Sequence, residues 1–184
     1  MASSRLSKFA LFLVLATAAA VAHAPTRVRG TITAVQGDVI VVDGKEVKIG
    51  PKSEIVYTQP IALSEIKPGD FLGVTSTKRA DGTLTAYEVR RFPKPVNPGH
   101  RPFDGRDDRT MTNATVSAMV QAASGRELTL TYEGSAQKIV VPESASISTL
   151  VPGTRAQLVR GAPANLTMDA AGTALRVQVG PPVR

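Results

Sequence analysis

The sequence predicts an all-β protein built as two tandem, small β-barrels behind a short apolar leader, with one merged β-sandwich as the alternative architecture. Three observations predict it. Apolar residues alternate with period two through much of the chain, two segments align with one another, and the leader is set apart from both in composition.

The leader comes first. Arg5 and Lys8 open it, an apolar stretch runs from Phe9 to Ala22, and small residues close it, which is the layout of a cleavable secretory signal over residues 1–24. Cleavage fits the small-x-small rule after Ala22, leaving His23 first, and after Ala24, leaving Pro25 first. As a helix, about 14 apolar residues reach about 21 Å, short of the ~20 residues that a bilayer core requires. No transmembrane span is expected after signal removal, and the expected address is the periplasm or the cell exterior.

The first repeat, residues 25–92, opens with the strand Arg29 to Val35. The run Val39 to Val42 ends at Asp43-Gly44, a hairpin signal leading into a strand in which Val47 and Ile49 alternate with Glu46 and Lys48. Ile61 to Ile66 reads as one helical turn, too short to stand alone. Pro68-Gly69 marks a turn before Phe71 to Val74, and Ala80-Asp81-Gly82-Thr83 leads into the closing strand through Val89. Residues 93–110, with four Pro and two Gly, read as an extended connector.

The second repeat, residues 111–184, matches the first at three places. Asn113 to Met119 aligns with Arg29 to Val35, Leu150-Val151-Pro152-Gly153-Thr154 with Ile66-Lys67-Pro68-Gly69-Asp70, and Ala170 to Ala174 with Ala80 to Leu84. Leu128, Leu130 and Tyr132 should face inward, as should Leu175, Val177 and Val179. Five or six short strands per repeat, with one turn of helix in the middle, suggest a barrel of the OB type. A unit of some 65 residues is near the lower limit for an unstapled core, so packing of the two together is expected.

The opening Val28-Arg29-Gly30-Thr31-Ile32-Thr33-Ala34-Val35, the Ile66-Lys67-Pro68-Gly69-Asp70 turn and the Ala80-Asp81-Gly82-Thr83-Leu84-Thr85-Ala86 strand together resemble a bacterial family of secreted or periplasmic OB-like domains of unknown function. The connector Gly99-His100-Arg101-Pro102-Phe103-Asp104 and the following Met111 to Val116 add to the likeness, which is looser over the second repeat. The resemblance implies an exported β module and carries no established reaction, cofactor or ligand.

Composition narrows the chemistry. With no Cys, the chain has no disulfide, thiolate metal site, thiol nucleophile or lipoprotein anchor. Its net charge is +7, but Lys and Arg are interspersed with acids, 10 against 8 over residues 27–92 and 5 against 4 over 111–179. With three Tyr, five Phe and no Trp, it lacks stacking platforms for single-stranded nucleic acid. No G-x-G-x-x-G or G-x-x-x-x-G-K-[ST] phosphate loop occurs. With His100 the sole His after cleavage at Ala24, a hydrolytic triad or a multi-His metal site within one chain is nearly excluded.

The expected function is therefore that of a non-enzymatic envelope protein, without cofactor, that binds a protein or an anionic polymer. The candidate binding residues are the basic pairs Lys78-Arg79 and Arg90-Arg91 and the connector patch His100, Arg101, Phe103 and Asp104. The alternative is a small metal-handling protein. A terminal His23 would offer its amine and imidazole to copper, and Asp104, Asp107 and Asp108 would offer oxygens to a hard cation, although Arg106 and Arg109 neutralise that loop. Catalysis through Asp70, Asp81 and Glu88 has no specific sequence support.

Overall fold

A computed structural model describes residues 24–122 and 125–182; the expected signal through His23 lies outside the described residues. The strands are β1 (Thr26–Gln36), β2 (Val39–Val42), β3 (Lys45–Lys48), β4 (Glu54–Pro60), β5 (Phe71–Lys78), β6 (Leu84–Phe92), β7 (Gly99–Phe103), β8 (Arg106–Ala122), β9 (Gly125–Tyr132), β10 (Ser135–Val141), β11 (Ser146–Pro152), β12 (Pro163–Met168) and β13 (Ala174–Val179). Two 3-10 turns, Leu63–Glu65 and Arg155–Gln157, precede β5 and β12. Among the described residues there is no α-helix.

The strands close a ring in the order β10-β9-β8-β5-β6, with β6 meeting β10 in parallel at Thr85 and Val140. This middle ring takes β5 and β6 from the first repeat and β8, β9 and β10 from the second. A second path, β3-β2-β1-β12-β13, draws on the two ends of the chain, and its extremes meet at the bridge Lys48–Thr173. Between this end ring and the middle ring lie β4 and β11, antiparallel to one another, with β4 parallel to β13 and β11 parallel to β6.

The apolar cores obey the same division. Ile32, Ile40, Val42, Val47 and Ile49 pack with Leu158, Leu166, Met168, Val177 and Val179, whereas Leu72, Val74, Leu84 and Val89 pack with Val116, Leu128, Leu130, Ile139 and Val141. Each core therefore joins residues from both repeats. Expected as units closed on themselves, the repeats instead exchange their final hairpins, β5–β6 for β12–β13.

Matching details relate the halves by an approximate twofold passing between Thr58 and Leu150, which face each other across β4 and β11. A bulge leaves Thr33 unpaired in β1 and Ser117 unpaired in β8. Their hydroxyls donate across the strand pair to Val41 O (3.2 Å) and Thr129 O (3.0 Å). Each bulge bends a long strand, so that its first part serves one neighbour and its second part another. The turns Asp43-Gly44 and Glu133-Gly134 both hold two residues at positive φ, as two-residue hairpins require.

Three local expectations are corrected. The counterpart of Gly69 is Gly161, not Gly153. Gly69 N–H donates to Val116 O (2.9 Å) and Gly161 N–H to Ile32 O (2.8 Å), both at positive φ, while Pro152-Gly153 ends β11. The Pro-Gly spelling misled because the corresponding turn in the second half is Arg160-Gly161. The connector is also not merely extended, for β7 and β8 form a hairpin through Asp104-Gly105, at φ 60° and 64°. Finally, Leu175 is 47% exposed, because a bulge in β13 pairs Met168 with Ala174 and Thr167 with Arg176, leaving Leu175 on the outer face. Val177 and Val179 are buried as expected, and Tyr132 half so.

Candidate functional site

At one mouth of the middle ring, a cleft of about 460 Å³ is lined by Gly69, Asp70, Phe71, Arg91, Phe92, Pro93, Lys94, Pro95, Thr115 and Thr149. Backbone bonds fix its floor. The Gly69 N–H and the Asp70 carbonyl clasp both polar groups of Val116 at 2.9 Å, and the Asp70 carboxylate accepts from Lys67 N–H at 2.9 Å. Arg91 lies on the inward face of β6, two residues beyond the core residue Val89, where the ring opens. Its guanidinium donates to Glu65 O (3.2 Å) and Thr149 Oγ1 (3.5 Å) and stands 3.8 Å from Asp70.

Lys94 projects from the Pro93-Lys94-Pro95 segment into the same cleft, exposed and with no ion pair among the described residues. Two cations against one carboxylate leave the cleft with a surplus positive charge. An anionic oxygen entering it would meet one preset guanidinium and one exposed ammonium.

The predicted binding residues do not converge here. Arg91 lines the cleft, but its neighbour Arg90 lies on the opposite face of β6, paired with Glu88, which also accepts from Thr75 Oγ1 at 3.3 Å. Lys78 is opposite Leu84 at the far end of the β5–β6 pair, and Arg79 closes the turn there. Six residues of strand, about 20 Å at ~3.3 Å each, separate Lys78 from the pair Leu72–Arg91. Alternation along β7 likewise divides the connector patch. His100 turns inward to Thr112, Arg101 donates outward to Asn97 O (3.2 Å), and Phe103 and Asp104 lie at the hairpin tip.

The carboxylates are equally dispersed. Asp70 is in the cleft, Asp81 in the opposite turn and Glu88 on the outer face. Asp104 pairs with Arg109 (3.6 Å), which lies over the Tyr87 ring, and Asp108 accepts two bonds from Arg106 at 3.0 and 3.1 Å. Among the described residues no three His, Asp or Glu side chains come together as a metal site. Lys94, Thr115 and Thr149 escaped the sequence reading, since only the fold brings them beside Arg91; the Pro residues flanking Lys94 were the one local hint.

His100 is one of the predicted residues whose titration the fold shifts. Its Nδ1 lies 2.8 Å from Thr112 Oγ1, and burial, reinforced by the Lys78 ammonium, holds its pKa below 6.5. The unfolded chain then takes up this proton first as pH falls, so stability declines from about pH 6.5 downward until the folded imidazole is also protonated. Asp81, held by the Thr83 N–H, and Asp108, held by Arg106, are both lowered and act only below 3.8. The thermal midpoint should therefore fall between pH 7.5 and pH 5, and His100→Gln should abolish most of that fall.

Residues 29–90, about a third of the chain, match a family model described as a domain of unknown function (DUF5666). The match runs from β1 into β6, the stretch whose strands are divided between the two rings. No curated protein and no solved structure matches the chain.

Proposed function

We propose that this is an exported, non-enzymatic envelope protein whose paired OB-like rings bind an anionic partner, an acidic protein surface or a polyanion. The cleft carries the reading, with Arg91 preset by Glu65 O and Thr149, Lys94 beside it without an ion pair to a described residue, and Asp70 the one carboxylate among the described lining residues. The leader supports the address, and the resemblance to secreted OB-like domains supports the module.

The test is calorimetric titration with polyphosphate of defined chain length at low ionic strength. Binding should weaken at least about ten-fold in Arg91→Ala/Lys94→Ala and fall with added salt, because exposed charges are screened within ~10 Å at 0.1 M. Unchanged affinity in the double variant, or robust turnover of an envelope substrate by the protein, would overturn the reading.

A further inference from the structure

The approximate twofold is broken at one place that bears on binding. In the middle ring, the peptide groups of Val116 point toward the segment leading into β5, since its N–H donates to Asp70 O and its carbonyl accepts from Gly69 N–H. Alternation then turns those of Asn113 and Met111 the other way, where β7 pairs with them through Gly99 and Arg101. In the end ring, Ile32 is the counterpart of Val116, bonded to Ala162 O and Gly161 N–H. Arg29 and Arg27 are the counterparts of Asn113 and Met111, and no described strand pairs with them on that side.

The open stretch has a defined end. Thr31 N–H donates to Asp43 Oδ1 (3.0 Å) and Thr31 O accepts from Asp43 N–H (3.3 Å), so its peptide groups are satisfied. What remains is an N–H and a carbonyl on each of Arg27 and Arg29, the same four groups that β7 satisfies in the other ring. Sheet edges that must stay single are commonly blunted by proline. β7 has such a device: Pro102 sits opposite Thr110 at a position whose nitrogen faces away from β8. β1 carries none between Thr26 and Gly30.

The side chains state what would fit. Arg27 and Arg29 are exposed on the outer face of β1, without an ion pair or hydrogen bond to a described residue, while Val28 between them turns inward and packs on the end-ring core. A strand laid antiparallel along this edge places residues directly opposite Arg27 and Arg29, and opposite charges at such positions are favourable. The residue between them falls opposite Val28 and faces the core, as His100 does opposite Thr112. The geometry points to this edge of β1 as the docking site for an extended segment of another protein, in which acidic residues alternate with an apolar one. The mode is strand addition, in which main-chain bonds give affinity and alternate side chains give selectivity.

The test uses a fluorescein-labelled octapeptide, capped at both ends, that alternates Glu and Val, titrated into the full chain and into a chain starting at Pro25. Saturable anisotropy change is expected. Affinity should drop at least about ten-fold for Arg27→Glu/Arg29→Glu, for Arg29→Pro, and for a Lys–Val peptide of the same length. Should Arg29→Pro prove unfolded, a Glu–Val peptide N-methylated on alternate amides carries that arm and should bind at least about ten-fold more weakly. Arg91→Ala/Lys94→Ala should bind the peptide as the parent does, which separates this edge from the cleft. Equal binding of the Glu and Lys peptides, or no effect of N-methylation, would overturn the proposal. So would binding to the shorter chain but not the full one, which would assign the edge to the protein's own N-terminal segment.

Discussion

Prepared separately, residues 25–96 and 97–184 should each lack a cooperative thermal transition as monomers, and mixing them in equal amounts should restore one. The exchange of hairpins dictates this. Without the second half, the end ring loses Leu158, Leu166, Met168, Val177 and Val179 from its core, and the middle ring loses Val116, Leu128, Leu130, Ile139 and Val141. Each fully buried side chain of this kind contributes about 1.5–3 kcal/mol, so five of them already approach the ~5–15 kcal/mol that holds a whole domain together. Circular dichroism melts of the halves and of the mixture, with gel filtration, make the measurement. A half that melts cooperatively as a monomer would mean that β5 and β6 close on their own repeat, and the crossed arrangement would then be dispensable. A half that folds only as a dimer would repeat the crossing between two copies.

Leu72→Ala should lower the unfolding free energy by about 2–5 kcal/mol, the range for a leucine removed from a tight core. Leu72 is 0% exposed in β5, between Arg91 of β6 and Ala114 of β8, so the void has no easy route to collapse. Leu175→Ala provides the contrast. Being 47% exposed, Leu175 should cost within about 0.5 kcal/mol, as surface substitutions usually do. Urea unfolding of both variants reads the difference. Equal losses would place Leu175 inward after all and remove the bulge from β13.

Much of the local architecture was legible in the sequence because local rules govern it. Asp43-Gly44 forms the hairpin it promises, Ile61 to Ile66 contains the expected single turn at Leu63–Glu65, and Val47, Ile49, Leu128 and Leu130 are buried as their alternation requires. The failures arose where information is not local. Which ring receives β5 and β6 is set by contacts distant along the chain, and Leu175 was misplaced because the bulge in β13 breaks the alternation at that residue, while Val177 and Val179 beyond it stay inward. The β7–β8 hairpin is a different case, for Asp104-Gly105 carries the same signal as Asp43-Gly44, hidden among prolines and charges. Of the residues lining the cleft, Arg91 stood among the binding candidates in advance and Asp70 was weighed only as a carboxylate. A pair such as Arg90-Arg91 reads as one patch in sequence, whereas a strand sends its members to opposite faces.

The crossed hairpins also set a timetable. As the chain emerges from its N-terminus, everything needed for the middle ring is present once Val141 has appeared, whereas the end ring must wait for Val179 although its first strands are the earliest made. Contacts so distant along the chain close slowly, and exposed strands awaiting partners are prone to pair with neighbours. β1, made first, thus waits for its β12 neighbour until the last part of the chain has been made.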